Sequence, residues 1–207
     1  MSRVIQPDMV KFIDNKLMHN GLAKLHVQNK NPRGLMVEAA RMLVGITELT
    51  GKNDGFEVVL IQKTVDGKAQ REAYCMATQQ TLIAYAELKT GIKSPLLATE
   101  HCTTLWNWVK KNCPEQLVKY NPLPGALAIW QHGDAPVETK PPGHTEMVLD
   151  ADEEIFHAVG GNTSGWLTEA EAQAGKRVNR EGNGVFYTLR SRHGEGDMKL
   201  LGFIKPF

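Results

Sequence analysis

The order of helical and strand-like segments constrains this chain more than any other feature of its sequence. Before Pro114 the apolar residues recur at helical spacing; after Pro122 they fall into five short β-like runs, at 126–131, 144–149, 154–159, 185–190 and 200–204. Turns rich in Gly, Pro or Asp separate those runs, as in a meandering antiparallel sheet. Helices first and strands afterwards is the pattern of an α+β fold, not of alternating βαβ units.

The helical half begins at Pro7-Asp8, with Asp8 as a cap and Met9, Ile13 and Leu17 at i, i+4 spacing. Asn20-Gly21 interrupts that face, and Leu22 and Leu25 continue it. A polar turn at 29–34, containing Pro32, sets a domain boundary: 1–33 is expected to be a helical extension and 34–207 a catalytic domain. A second helix is expected over 35–47, where Leu35, Ala39, Met42, Leu43 and Ile46 share a face. Residues 48–55 are turn formers, and 56–62 fit a strand or a short helix equally well. A further helix, capped by Thr99 or Thr103, runs to about Lys111 and buries Leu105, Trp106 and Val109; Trp106 could instead line a substrate cleft.

Between these lies the stretch 71–88, which from Met76 onward is rich in Ala, Leu, Gln and Glu, with no Gly or Pro before Gly91. Met76, Ile83 and Ala86, flanked by Leu82 and Leu88, predict a stripe facing the core. Cys75 sits at the front of this helix. Unpaired N–H groups and the positive end of the helix dipole there favour a thiolate over the ordinary thiol. The plainer alternative is a small buried hydrophobe, the commoner fate of a free cysteine. Downstream, His144 opens one apolar run, and Gly160-Gly161-Asn162-Thr163 closes another. Cysteine, histidine and asparagine in that chain order form the constellation of papain-like hydrolases.

Composition narrows the function. A net charge of +1 gives no global electrostatic reason to bind nucleic acid. No apolar run approaches a membrane span, and no signal-peptide pattern opens the chain, so synthesis in the cytoplasm is expected, with delivery to any external substrate by other means. The 3 cysteines make an odd count, against a disulfide framework. Cys102 and Cys113 lack zinc-ligand spacing, and His132, His144 and His157 are too far apart for one local ligand set, so no metal is expected.

With these residues in place, 34–207 resembles the CHAP and NlpC-type papain-like cell-wall hydrolases common among phage lysins. The family's aromatic-Cys pair opening a long helix is matched by Tyr74-Cys75, its Gly-His strand by Gly143 to Val148 and its Gly-Asn-Thr/Ser turn by Gly161-Asn162-Thr163-Ser164. Leu123-Pro124-Gly125-Ala126-Leu127 is similar to the family's entry to the first strand, with Ala126 in place of aspartate. Two positions depart: the family often has Glu where Gly160 stands, and usually Gly where Glu146 stands. The resemblance implies N-terminal helices packed on a five- to six-stranded antiparallel sheet, and cleavage of peptidoglycan amide bonds, as amidase or endopeptidase, without a cofactor. A monomer acting on the cell wall is expected.

In that chemistry Cys75 is the nucleophile, His144 its base, and Asn162 the group that orients the imidazole. The Cys75 N–H would hold the oxyanion, with a second donor from Tyr74 or a neighbouring side chain. Glu146 is expected at the rim of the substrate site, or beside His144 as a second candidate for orienting it, since residues two apart on a strand share a face. Two further readings remain: an antibacterial amidase effector, which would need an immunity protein, and a catalytically silent wall-binding or structural domain.

Overall fold

A computed structural model describes residues 3–118, 121–174, 182–194 and 196–207. The order of elements is α+β as expected: helices α1 (Pro7–Leu17), α2 (Gly21–Gln28), α3 (Pro32–Leu43), α4 (Phe56–Asp66), α5 (Cys75–Thr90) and α6 (Cys102–Asn112) come first. Strands β1 (Leu117–Val118), β2 (Leu127–His132), β3 (Gly143–Ala151), β4 (Ile155–Thr163), β5 (Gly184–Ser191) and β6 (Met198–Ile204) follow, with a short helix α7 (Glu169–Gln173) before β5. They form one six-stranded sheet in the order β1-β6-β2-β3-β4-β5, and every adjacent pair is antiparallel. The meander holds from β2 to β5. The last strand then returns to the far side of β2, where Ala128 pairs with Phe203.

Alternation along the strands divides the core in two. Leu127, Ile129, Met147, Leu149, Val159 and Ile204 join the helices in the main apolar cluster, while Ala128, Trp130, Val148, Phe156, Ala158 and Phe203 build a smaller second one. Met9, Ile13 and Leu17 of α1 and Ala23 of α2 lie in the main cluster, so the apolar face of the N-terminal extension is continuous with the core. The expected boundary after residue 33 falls within the first turn of α3, whose cap is Asn31, its side chain accepting from the Gly34 N–H. No helix among the described residues is long and apolar enough to cross a membrane.

Three local expectations change and one left open is decided. Asp8 lies in the first turn of α1 and does not cap it; the cap position is Gln6, with Pro7 next. Residues 56–62, open between strand and helix, are helical, and α4 ends in the left-handed Gly67. The expected turn at 160–164 is largely strand: β4 runs on to Thr163 through an irregularity between Gly160 and Thr163, with Asn162 left-handed at φ 53°. Lastly, α5 has no single apolar stripe. It is buried on nearly all sides, packed against α3 and α4 and against β3 and β4, whereas Leu88, expected in the core, is 56% exposed. A helix enclosed in this way loses its periodicity, because polar residues inside it are paired instead of being turned outward. Gln79 donates to the Val159 carbonyl, Gln80 to those of Leu97 and Thr99, and Thr81 to that of Ala77.

Candidate active site

The first turn of α5 delivers Cys75 to the site. Tyr74 is the cap residue and offers no side-chain cap, so the leading N–H groups of the helix have no intrahelical acceptor. The Met76 N–H points at the Cys75 sulfur, and the Cys75 N–H has no acceptor among the described residues. The start of α6 and the entrance to β3 stand beside this turn. Cys75, Cys102, Thr103 and Gly143 line a cleft of about 340 Å³, with Glu72, Glu100, His101 and Lys140 also on its walls. Burial and the nearby charges of Asp66 and Glu72 raise the Glu100 carboxyl above its usual range.

His144 meets the Cys75 thiol through one ring nitrogen and Glu146 through the other, with Nε2 3.0 Å from the Glu146 Oε1. Since Nε2 faces the carboxylate, Nδ1 is the nitrogen left for sulfur. The two residues lie two apart on β3 and share a face with their β2 partners Trp130 and Ala128. The Trp130 ring stands 5.8 Å from the imidazole, centre to centre, and limits its rotation.

Glu146 is fully buried and fully engaged. It accepts from Thr188 Oγ1 at 2.6 Å and takes a two-pronged contact from Arg190, Nη2 at 2.6 Å and Nε at 3.0 Å. Gly160 makes this possible. It pairs with Glu146 across the β3–β4 ladder, and a Cβ added there would lie 2.5 Å from the Glu146 Cγ. The line Cys75–His144–Glu146–Arg190 therefore alternates in charge, negative, positive, negative, positive.

Electrostatics follow from that line. A hydrogen bond from Cys102 and the pairing with His144 bring the Cys75 thiol well below its ordinary range, against the opposing effect of burial. Burial alone would lower the pKa of His144; the bonds and charges of Cys75 and Glu146 outweigh it and raise it to about 9. Burial would likewise raise that of Glu146, but Arg190 and His144 hold it well below the usual carboxylate range. These shifts all favour a thiolate–imidazolium pair backed by a carboxylate.

Cys75, His144 and Glu146 come together as sequence reasoning allowed, but with the orienting role reversed. The Asn162 Oδ1 accepts from the Tyr74 N–H at 3.0 Å and its Nδ2 donates to the Gly182 carbonyl, so Asn162 ties β4 to the cap of the cysteine helix and does not hold the imidazole. Tyr74 is not a second oxyanion donor, since that same N–H is already bonded, and its fully buried ring has no access to substrate. Trp106 is not in the cleft. It packs on the main core, close to Gly202 of β6.

Cys102 and Arg190 were missed. Cys102 occupies the first position of its helix, as Cys75 does, and a helix start at 102 in place of a cap at Thr99 or Thr103 would have exposed the parallel. Arg190 carried a weaker signal, a charge two residues from Thr188 at the end of an apolar β-run. Among the described residues no group of three or more acidic, histidine or cysteine side chains could hold a metal ion. Comparison with protein families, with curated proteins and with solved structures found no match to this chain.

Proposed function

We propose that this protein is a cysteine amidohydrolase that cleaves amide bonds in the peptides of bacterial peptidoglycan. The observation that carries the chemical part is the buried line from the Cys75 thiol through His144 to Glu146 at the start of a helix that opens on a cleft. The sequence motifs around Cys75, His144 and Asn162 carry the substrate class.

The steps follow from the atoms available. The Cys75 thiolate attacks the amide carbonyl carbon, forming a C–S bond, and the new oxyanion is stabilised by the Cys75 N–H and the helix dipole. His144, protonated at Nδ1, delivers that proton to the leaving nitrogen as the C–N bond breaks. The amine departs and a thioester remains. Water then attacks the thioester, His144 takes its proton, and Cys75 leaves as thiolate. Glu146 stays ionised throughout and holds the ring in the tautomer that presents Nδ1 to sulfur.

The two departures from the family pattern support this reading when taken together. Glu146 and Gly160 face each other across one ladder. Exchanging glycine and glutamate between those two positions moves a carboxylate from one strand to its neighbour, on the same face and still within reach of the imidazole.

Zymograms on embedded peptidoglycan, followed by mass spectrometry of the released muropeptides, test the proposal. Clearing by the wild type, new amine and carboxylate ends at one amide position, and loss of activity by roughly 10⁶ in Cys75→Ala are expected. Intact muropeptides, or equal clearing by Cys75→Ala, would overturn it.

A further inference from the structure

The hydrolytic cycle consumes neither sulfur, and it needs only one of the two at the cleft. Cys102 begins α6 as Cys75 begins α5, both are free thiols, and their Sγ atoms lie 3.9 Å apart. Both also line the cleft, so a small solute that reaches one reaches the other. A disulfide requires about 2.05 Å between sulfurs, so closing the gap asks for about 2 Å, within the sweep of a sulfur turning about its Cα–Cβ bond. Cys113 offers an internal contrast. It caps the far end of α6, about 16 Å away along the helix axis.

We propose that Cys75 and Cys102 are a reversible oxidation site, in which a hydroperoxide oxidises Cys75 and Cys102 captures the product as a disulfide. In the first step the Cys75 sulfur attacks a peroxide oxygen; an S–O bond forms, the O–O bond breaks, and the departing oxygen takes a proton to leave as water or an alcohol. In the second, the Cys102 sulfur attacks the Cys75 sulfenic acid; the S–S bond forms, the S–O bond breaks, and hydroxide leaves as water with the proton that Cys102 gives up. Two electrons pass from the two thiols to the peroxide, and a dithiol reductant reverses the result.

The two sulfurs are suited to unequal roles. Cys75 is shifted towards the thiolate, the form that attacks peroxide, whereas the hydrogen bond that Cys102 makes to Cys75, with burial and the Cys75 charge, holds the Cys102 thiol well above its ordinary range. Capture by Cys102 also stops Cys75 short of the sulfinic acid, which ordinary thiols do not reverse.

The test is peptide mass spectrometry of the full-length protein under non-reducing conditions after treatment with stoichiometric hydrogen peroxide. The expected result is a cross-linked peptide pair containing Cys75 and Cys102, a pair of hydrogens lighter than the sum, with Cys113 unmodified and both thiols restored by dithiothreitol. In Cys102→Ser and in Cys102→Ala, Cys75 should instead accumulate as sulfenic acid trapped by dimedone and then as sulfinic acid that dithiothreitol does not restore. Overoxidation of Cys75 at the same rate in the wild type and both variants, or a Cys75 inert to peroxide, would overturn the inference. Mass is the readout, so the result stands apart from whether the chain cleaves peptidoglycan.

Discussion

Glu146 holds a full negative charge with no exposed surface, and such a carboxylate persists only where every oxygen is occupied. Removing one member of that cluster exposes the cost. Glu146→Gln leaves Arg190 facing a neutral amide and should destabilise the fold by about 3–5 kcal/mol, read as a lower denaturation midpoint. Among molecules still folded, it should lower turnover by roughly 10² to 10⁴, the range for losing the group that orients a catalytic histidine. The basic limb of the pH–rate profile should also move. His144 must stay protonated to donate to the leaving group, and in the wild type that fails as pH rises through about 9. Without the Glu146 carboxylate the limb should fall at lower pH. Asn162→Gly makes the contrast: it keeps the left-handed backbone, removes the acceptor for the Tyr74 N–H, and should cost about 1–3 kcal/mol of stability while leaving the basic limb in place. A shifted limb in Asn162→Gly and an unshifted one in Glu146→Gln would reverse the two roles.

At the scale of elements, the site depends on how closely α5 lies on the sheet. A Cβ at Gly161 would sit 2.1 Å from the Thr78 Oγ1 and 3.3 Å from the Tyr74 ring, so Gly161→Ala has to push β4 away from the first turn of α5. It should reduce activity and stability together, whereas Gly91→Ala, beyond the far end of the same helix and in open space, should cost stability through its left-handed backbone and leave the Cys75 reactivity of the folded protein unchanged. Deeper in the helix, Ile83 is fully buried, and Ile83→Ala should cost about 2–5 kcal/mol by urea denaturation. What the sequence disclosed about these elements follows their surroundings. The strands were legible because their apolar residues lie between turn formers. The enclosure of α5 was not, because Gln79 and Gln80 read as solvent-facing until their carbonyl partners outside the helix, Val159, Leu97 and Thr99, are in place.

Across the whole molecule, distant pieces of sequence converge on one line of charge: Cys75 from a helix, His144 and Glu146 from the middle of the sheet, Arg190 two strands further on. Cys75 and His144 could be picked out because each carries its own local signal, a helix start and a strand start. The orienting group could not, because it depends on which residue faces Gly160 across the ladder, and register is a property of the assembled sheet. The same line makes stability depend on pH in both directions. Glu146, held below its unfolded value, contributes stability that is present above the ordinary carboxylate range and lost as pH falls towards its folded value. His144, held above its unfolded value, contributes stability that is complete below about 6.5 and lost as pH rises through about 9. Cys75, held below its unfolded value, binds one proton fewer when folded and offsets His144 until the unfolded thiol ionises at about 8.5, so the melting temperature should decline only above that pH, and less so in His144→Gln. The central claim, that Cys75 is a thiolate paired with His144, is tested most directly by following the alkylation rate of Cys75 by iodoacetamide against pH, resolved from Cys102 and Cys113 by peptide mass spectrometry. The account predicts substantial Cys75 labelling well below neutrality and a second change near pH 9 as His144 loses its proton. A single titration at the ordinary thiol value of about 8.5, shared by Cys75 and the other two cysteines, would contradict it.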